Sequence, residues 1–394
     1  LTGLARFALA GVVLAAVVLA SCTTIPRTAV PTALIGQAEL QGVGDVRAWG
    51  DTPRENPDQL LATRFAQIRK HRPEILASGR SFAYLALSGG GANGAFGAGF
   101  LNGWTASGQR PTFEVVSGVS AGALIAPFAF LGPAYDKQLR DIYTLYSTND
   151  IARPQVLAGV AGSHAIMDTT PLKSLIAHYV DRDVVRAVAS EHAKGRRLLV
   201  GTTNIDADRP VVWDMGRIAQ HPIETALPLF RAVLLASAAL PGLFPPVYLN
   251  VAAAGQVFQE MHVDGGTTEN AFLLPLHLDL KTLDKRAGRR IRRKLYIVAN
   301  DKTGPSPGET QNTAFGIASR SIATLIKQQL EGDLIKLYLR ARENQIDYNL
   351  ASIPLSFMEK SEEPFDRSYM RKLYELGFNM SRRKFNWSKK PPGI

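Results

Sequence analysis

The sequence predicts an α/β fold, a mainly parallel central sheet with helices on both faces. Two short apolar runs, residues 82–87 and 113–117, each end near glycine and lead into helix-like stretches of small and apolar residues. Three further runs, 198–203, 210–215 and 295–300, read as additional strands. Strand, glycine turn and helix in alternation lays successive strands side by side and in parallel, because each helix carries the chain back across a face of the sheet.

Composition agrees with this. The chain has 394 residues, 46% hydrophobic and 20% charged, which supplies a large core and is far from the makeup of a disordered chain. Leu60, Leu61, Phe65 and Ile68 recur at helical spacing and predict a helix over 58–75. Beyond the first apolar strand a helix continues through 100–104, and the second strand is followed by a small-residue helix over 121–131. Residues 230–239 read as a helix and 314–348 as a long amphipathic helical region broken near Gly332. An edge strand is expected over 353–358 and a closing helix over 367–376, with Asp366 at its start and Gly377 at its end. The expected layout is a leader over 1–21, a flexible tether over 22–57, the α/β domain over 58–310, and a helical extension packed on it over 311–394.

The first segment differs in kind. Arg6 precedes an apolar run over 7–20, broken only by Gly11 and followed by Ser21 and Cys22. The run is shorter than the ~20 residues of a comfortable membrane span and fits the apolar part of a signal peptide. Leu19, Ala20, Ser21 and Cys22 resemble the lipobox of bacterial lipoproteins, which implies cleavage that leaves Cys22 as an acylated first residue. Cys22 is the only cysteine, so an internal disulfide is excluded. The plainer alternative is an uncleaved short anchor with an incidental buried cysteine. Two or three acyl chains would hold the chain stably at a membrane. Thr23, rather than Asp, follows the cysteine, so the resemblance implies a cell-envelope location, the outer membrane where the source has two membranes.

The net charge is +11, with basic residues clustered late: Arg289, Arg290, Arg292, Arg293 and Lys294, then Arg382, Arg383, Lys384, Lys389 and Lys390. Such clusters meet nucleic acid or anionic headgroups, or simply form a solvated basic face, the commoner case. For an exported, lipidated chain nucleic acid is not an expected partner. The seven histidines, His71, His164, His178, His192, His221, His262 and His277, show no metal-ligand spacing, and neither metal nor cofactor is expected.

The strongest chemical signal is Gly118, Val119, Ser120, Ala121 and Gly122, a GxSxG pattern between an apolar strand and a helix. A nucleophilic serine on a sharp strand-to-helix turn needs small flanking residues, and the helix N-terminus favours a developing negative charge. A second match, Gly304 to Gly308 around Ser306, carries Pro305 and Pro307, which fix φ and remove an N–H donor. It reads as an exposed turn. Upstream, Ser88, Gly89, Gly90, Gly91, Ala92, Asn93 and Gly94 follow a strand and open a helix, an arrangement that aims backbone N–H groups at one point. Downstream, Val263, Asp264, Gly265 and Gly266 place a carboxylate before two glycines, which alone would be only a turn.

In this order the three motifs resemble those of the patatin-like phospholipases: a DGGGxRG loop, then GxSxG, then DGG or DGA. Residues 236–247 also resemble the family's segment between serine and aspartate, and the likeness covers about 82–300. It implies a three-layer αβα sandwich and a Ser-Asp dyad of Ser120 and Asp264. It also implies an oxyanion hole from Gly89, Gly90, Gly91 and Ala92, and hydrolysis of lipid or other acyl esters. Ser88 stands where the family usually has Asp, and Asn93 where it usually has Arg, which withdraws charged assistance to an oxyanion or a phosphate. Residues 240–247 are a candidate wall of the acyl pocket, with plain core packing as the alternative.

Three other readings compete. An α/β-hydrolase triad would use His277 or His262 as base with an acid such as Asp214. A non-catalytic, lipid-anchored scaffold would explain Ser88 and Asn93. Gly89, Gly91 and Gly94 also fit a dinucleotide-binding pattern, but the nearest acidic residue, Glu114, begins its strand instead of ending it.

Overall fold

The structure is a computed structural model that describes residues 27–53, 56–77, 80–154, 165, 167–273 and 280–394. Cys22 with the run before it, His164 and His277 lie outside the described residues. Ten strands join one sheet: β1 (Glu39–Leu40), β2 (Arg47–Trp49), β3 (Ser81–Leu87), β4 (Phe113–Val119), β5 (Arg197–Asn204), β6 (Arg209–Asp214), β7 (Val247–Ala253), β8 (Gln256–Asp264), β9 (Arg292–Lys302) and β10 (Asp347–Ile353). The centre, ordered β10-β9-β3-β4-β5, is parallel throughout. Antiparallel β6 and the β7–β8 hairpin extend it beyond β5.

The main helices are α1 (Pro57–His71), α2 (Gly94–Ala106), α3 (Ala121–Leu131), α4 (Asp136–Thr144), α5 (Thr170–Tyr179), α6 (Arg182–Ala193), α7 (Ile223–Ser237), α8 (Ala314–Glu343) and α9 (Arg367–Ser381). Their division into two layers follows from strand geometry, since successive side chains of a strand point to opposite faces. Phe82, Tyr84 and Ala86 of β3 enter one apolar cluster with Leu61 and Ile68 of α1 and Leu330 and Leu334 of α8. Ala83, Leu85 and Leu87 enter another, with Phe96 of α2, Phe128 of α3 and Phe230 of α7. The result is the expected αβα sandwich.

Several elements differ from the sequence expectation. Residues from Arg27 to Trp49, which fall in the expected tether, are strapped along the sheet: β1 pairs with β7 and β2 with β6. Arg27 binds Asp206 (Nη1–Oδ2 2.6 Å) and Arg47 reaches the buried Glu260 (Nη2–Oε1 3.0 Å). Strands of two or three residues are too short to show a period, and here the anchoring comes from ion pairs and from buried Val30, Val43 and Val46. Helix α1 stops at His71, and a separate turn at Pro73–Leu76 follows because proline cannot continue the helical hydrogen bonding. Helix α7 begins at Ile223, earlier than expected.

Helix α8 runs unbroken through Gly332, the ~1 kcal/mol cost of an internal glycine being outweighed by burial of Leu330, Leu334 and Ala341. It ends at Glu343, and the strand expected over 353–358 lies instead at Asp347–Ile353, with Tyr348 and Leu350 buried. Helix α9 starts at Asp366, whose carboxylate caps the Ser368 and Tyr369 N–H groups, but continues through Gly377 to Ser381. Gly377 packs against the Phe96 carbonyl and is a contact glycine, not a stop. The late basic clusters are partly structural: Arg293 pairs with Asp284, and Lys389 with Asp347. No helix among the described residues is long and apolar enough to cross a membrane.

Candidate active site

Strand β4 delivers Ser120 to a turn with φ 52° and ψ −123°, a left-handed conformation that a non-glycine residue holds only at a cost on the order of 1–3 kcal/mol. The two flanking glycines permit it by close approach. A Cβ on Gly118 would lie 2.3 Å from the Gly122 carbonyl oxygen, and one on Gly122 would lie 2.3 Å from that of Leu87. Ser237 of α7 holds the turn from behind, accepting the Ser120 N–H (3.0 Å) and donating to the Gly201 carbonyl (2.6 Å).

Register brings Asp264 to the serine. One edge of β5 pairs with β4 as far as Val119↔Gly201, and from Asp264↔Thr202 onward it pairs with β8. The residue that follows Val119 must therefore meet the end of β8. The Asp264 carboxyl accepts the Gly266 N–H (2.8 Å), and the Ser120 side chain acts on it from the turn at the end of β4. Burial raises its pKa to about 6, although both neighbours favour the charged form.

The glycine loop differs in one respect from the expectation. The Gly89 N–H is taken by the Asn270 side chain (2.8 Å), so Gly89 is not free to donate to an oxyanion. Gly90, Gly91 and Ala92 form the first turn before α2, and their N–H groups have no acceptor among the described residues. Ser88 and Asn93, the two departures from the family pattern, both make hydrogen bonds. Ser88 Oγ accepts the Asn300 N–H (2.8 Å) and donates to the Gly89 carbonyl (2.8 Å). Asn93 Oδ1 accepts from the Tyr369 hydroxyl of α9 (2.7 Å).

Ser120, Asp264 and the glycine loop line a cavity of about 810 Å³ whose walls are mostly apolar. Leu240, Leu243 and Phe244 belong to this wall, as do Leu172 of α5 and Ile322 and Ile326 of α8. The volume falls in the range of sites that bury most of a small-molecule ligand.

The family model for patatin-like phospholipases matches residues 85–277, a span that contains the glycine loop, the serine turn and Asp264. The chain carries a patatin-like phospholipase domain. Among curated proteins no sequence matches the chain. Two solved structures are loosely similar. VipD from Legionella pneumophila has 14% identity and a TM-score of 0.35, over 77% of this chain and 66% of that one. Human GIVD cytosolic phospholipase A2 has 10% identity and a TM-score of 0.32, over 82% of this chain and 54% of that one. The chain thus spans less than two thirds of either structure's length.

The competing residues of the patatin-like domain have other tasks. His262 is fully buried between Thr202 (Nδ1–Oγ1 3.0 Å) and Glu260 (Nε2–Oε2 3.1 Å) and makes no bond to Ser120. Burial lowers its pKa, so it is neutral at pH 7. For Glu260 burial opposes ionisation, but His262 and Arg47 together hold the carboxylate down at about 2. Asp214 pairs with His192 and caps the helix that follows it. Glu114 is buried against Arg72 (2.9 Å), a core ion pair and not a ribose ligand. Ser306 lies in an irregular stretch, half-buried and not in the exposed turn expected, where its hydroxyl accepts from Lys327 (2.6 Å). Among the described residues no three His, Cys, Asp or Glu side chains gather as for a metal ion.

Sequence reasoning missed Asn270, Asn300 and Ser237. Each is a polar residue in an apolar neighbourhood, close behind a motif or strand end, and that is the only signal it carries.

Proposed function

We propose that this protein is a lipid-anchored serine acyl hydrolase that cleaves carboxylic esters of lipids, with Ser120 as nucleophile and Asp264 as its direct base. The observation that carries the proposal is the juxtaposition, fixed by strand register, of Ser120 on its strained turn with the buried Asp264 carboxyl, both lining a large apolar cavity. As Ser120 Oγ attacks the ester carbonyl, Asp264 accepts its proton, and the N–H groups of Gly90, Gly91 and Ala92 receive the oxyanion. Collapse expels the alcohol, to which Asp264 returns the proton. Water, deprotonated by the same carboxylate, then attacks the acyl-serine and releases the fatty acid. A carboxylate with pKa near 6 is a stronger base than an ordinary aspartate and is still mostly ionised at neutral pH.

Membrane attachment through an acylated Cys22 is supported by the lipobox-like sequence at 19–22 and would hold the cavity near its substrate, in the outer membrane if the source has two. The test is hydrolysis of a medium-chain p-nitrophenyl ester by the wild type and by Ser120→Ala and Ser306→Ala. The proposal expects loss of activity only in the first variant, and full activity in Ser120→Ala would end it.

A further inference from the structure

We propose that the cavity accepts acyl esters whose head carries no net negative charge, neutral glycerides above all, and rejects anionic phospholipids; this rests on the hydrolase reading above. The charged residues that line the cavity are three carboxylates, Asp264, Asp301 and Glu363, and no lysine, arginine or histidine lines it among the described residues. The internal stretches 155–164 and 274–279, which lie outside the described residues, contain neither lysine nor arginine in their sequence, and one histidine each, His164 and His277.

Asp301 occupies the decisive place. It directly follows Asn300, whose carbonyl oxygen sits 2.3 Å from where a Cβ on Gly90 would be, so Asp301 stands at the foot of the glycine loop. Asn93, at the position where the resembled family usually has arginine, is neutral and already holds the Tyr369 hydroxyl. The cations that act on Asp301 are Lys327 and Lys302. Neither lines the cavity, and Lys327 is bound to Ser306 Oγ at 2.6 Å. Glycerol places a phosphate only a few bonds from the scissile carbonyl, so an anionic head meets Asp301 in a partly desolvated site where like charges repel strongly. The basic exterior, with net charge +11, attracts anionic surfaces to the outside of the protein, so surface affinity and turnover would favour different lipids.

The test uses monomeric substrates, so that surface attraction plays no part. Dihexanoylglycerol and dihexanoylphosphatidate, each below its micellar concentration, present the same esters with and without the phosphate. The wild type should favour the glyceride in kcat/KM by at least about tenfold, equivalent to about 1.4 kcal/mol. Asp301→Asn and, independently, Asn93→Arg should each narrow that ratio severalfold by raising phosphatidate turnover. Equal rates, a preference for phosphatidate, or an unchanged ratio in both variants would overturn the inference. In Ser120→Ala, dodecanol should displace an uncharged fluorescent fatty alcohol more readily than dodecyl phosphate. That binding order decides the charge preference even if no ester, p-nitrophenyl butyrate included, is cleaved, an outcome that would refute the hydrolase reading alone.

Discussion

Replacing Asp264 by asparagine should abolish ester cleavage and yet relieve a pH-dependent loss of stability. The Asp264 carboxyl has an ordinary value of 3.8, and burial raises it to about 6 in the fold. At about 1.4 kcal/mol for each tenfold change in proton affinity, the gap is worth about 3 kcal/mol. The sign is fixed by linkage. The folded state binds this proton more tightly than the unfolded chain, so the group's contribution is full below 3.8 and is lost as pH rises through about 6. An asparagine has no such dependence. The difference in unfolding free energy, variant minus wild type, should therefore grow in the variant's favour by about 2 kcal/mol between pH 4.5 and 7.5. Burial also raises Glu269, to about 8, and Asp333, but these contributions are common to both proteins and cancel in the difference. Urea unfolding followed by tryptophan fluorescence at the two pH values measures it. A difference that stays flat, or that moves against the variant, would refute the reasoning that Asp264 is held ionisable at a cost to the fold.

Three other outcomes are expected. Gly122→Ala places a methyl group within 2.3 Å of the Leu87 carbonyl, so soluble yield or esterase activity should fall by about a hundredfold or more, scored by expression and turnover. Asn270→Ala leaves the Gly89 N–H only its longer bond to the Asn270 backbone carbonyl (3.3 Å) and so loosens the oxyanion loop, and kcat should drop about tenfold while the thermal midpoint shifts little; unchanged kcat would remove Asn270 from the site. His262→Ala breaks a buried hydrogen-bonded set with Glu260 and should cost about 2–4 kcal/mol of stability, but the folded fraction should still turn over substrate, which active-site titration would check.

The three motifs of the candidate site were legible in the sequence because each is local. A nucleophile turn needs glycines beside the serine, and an N–H cradle needs consecutive glycines, so Gly118, Gly122 and Gly90–Ala92 announce themselves within a few residues. Four of the five parallel strands were legible for a similar reason, being apolar on both faces, whereas β10 was placed several residues too late because Asp347 and Asn349 break its apolar run. The β7–β8 hairpin was not, since the alternate buried positions of β8 carry Glu260, His262 and Asp264, which read as exposed residues until their partners Arg47, Thr202 and Ser120 are in place. The occupied N–H of Gly89 was also hidden, because its partner Asn270 is distant in sequence. The strap from Arg27 to Trp49 escaped notice because ion pairs to Asp206 and Glu260, and not an apolar period, fasten it.

In the proposed mechanism Asp264 alone removes the proton from Ser120. The most direct measurement is the rate of fluorophosphonate labelling in wild type, Ser120→Ala, Asp264→Asn and His277→Ala, with the adduct located by peptide mass spectrometry. Labelling should fall on Ser120, vanish in Ser120→Ala, slow by orders of magnitude in folded Asp264→Asn, and persist in His277→Ala. Undiminished labelling in Asp264→Asn, together with its loss in a folded His277→Ala, would contradict the dyad and establish a histidine as the base.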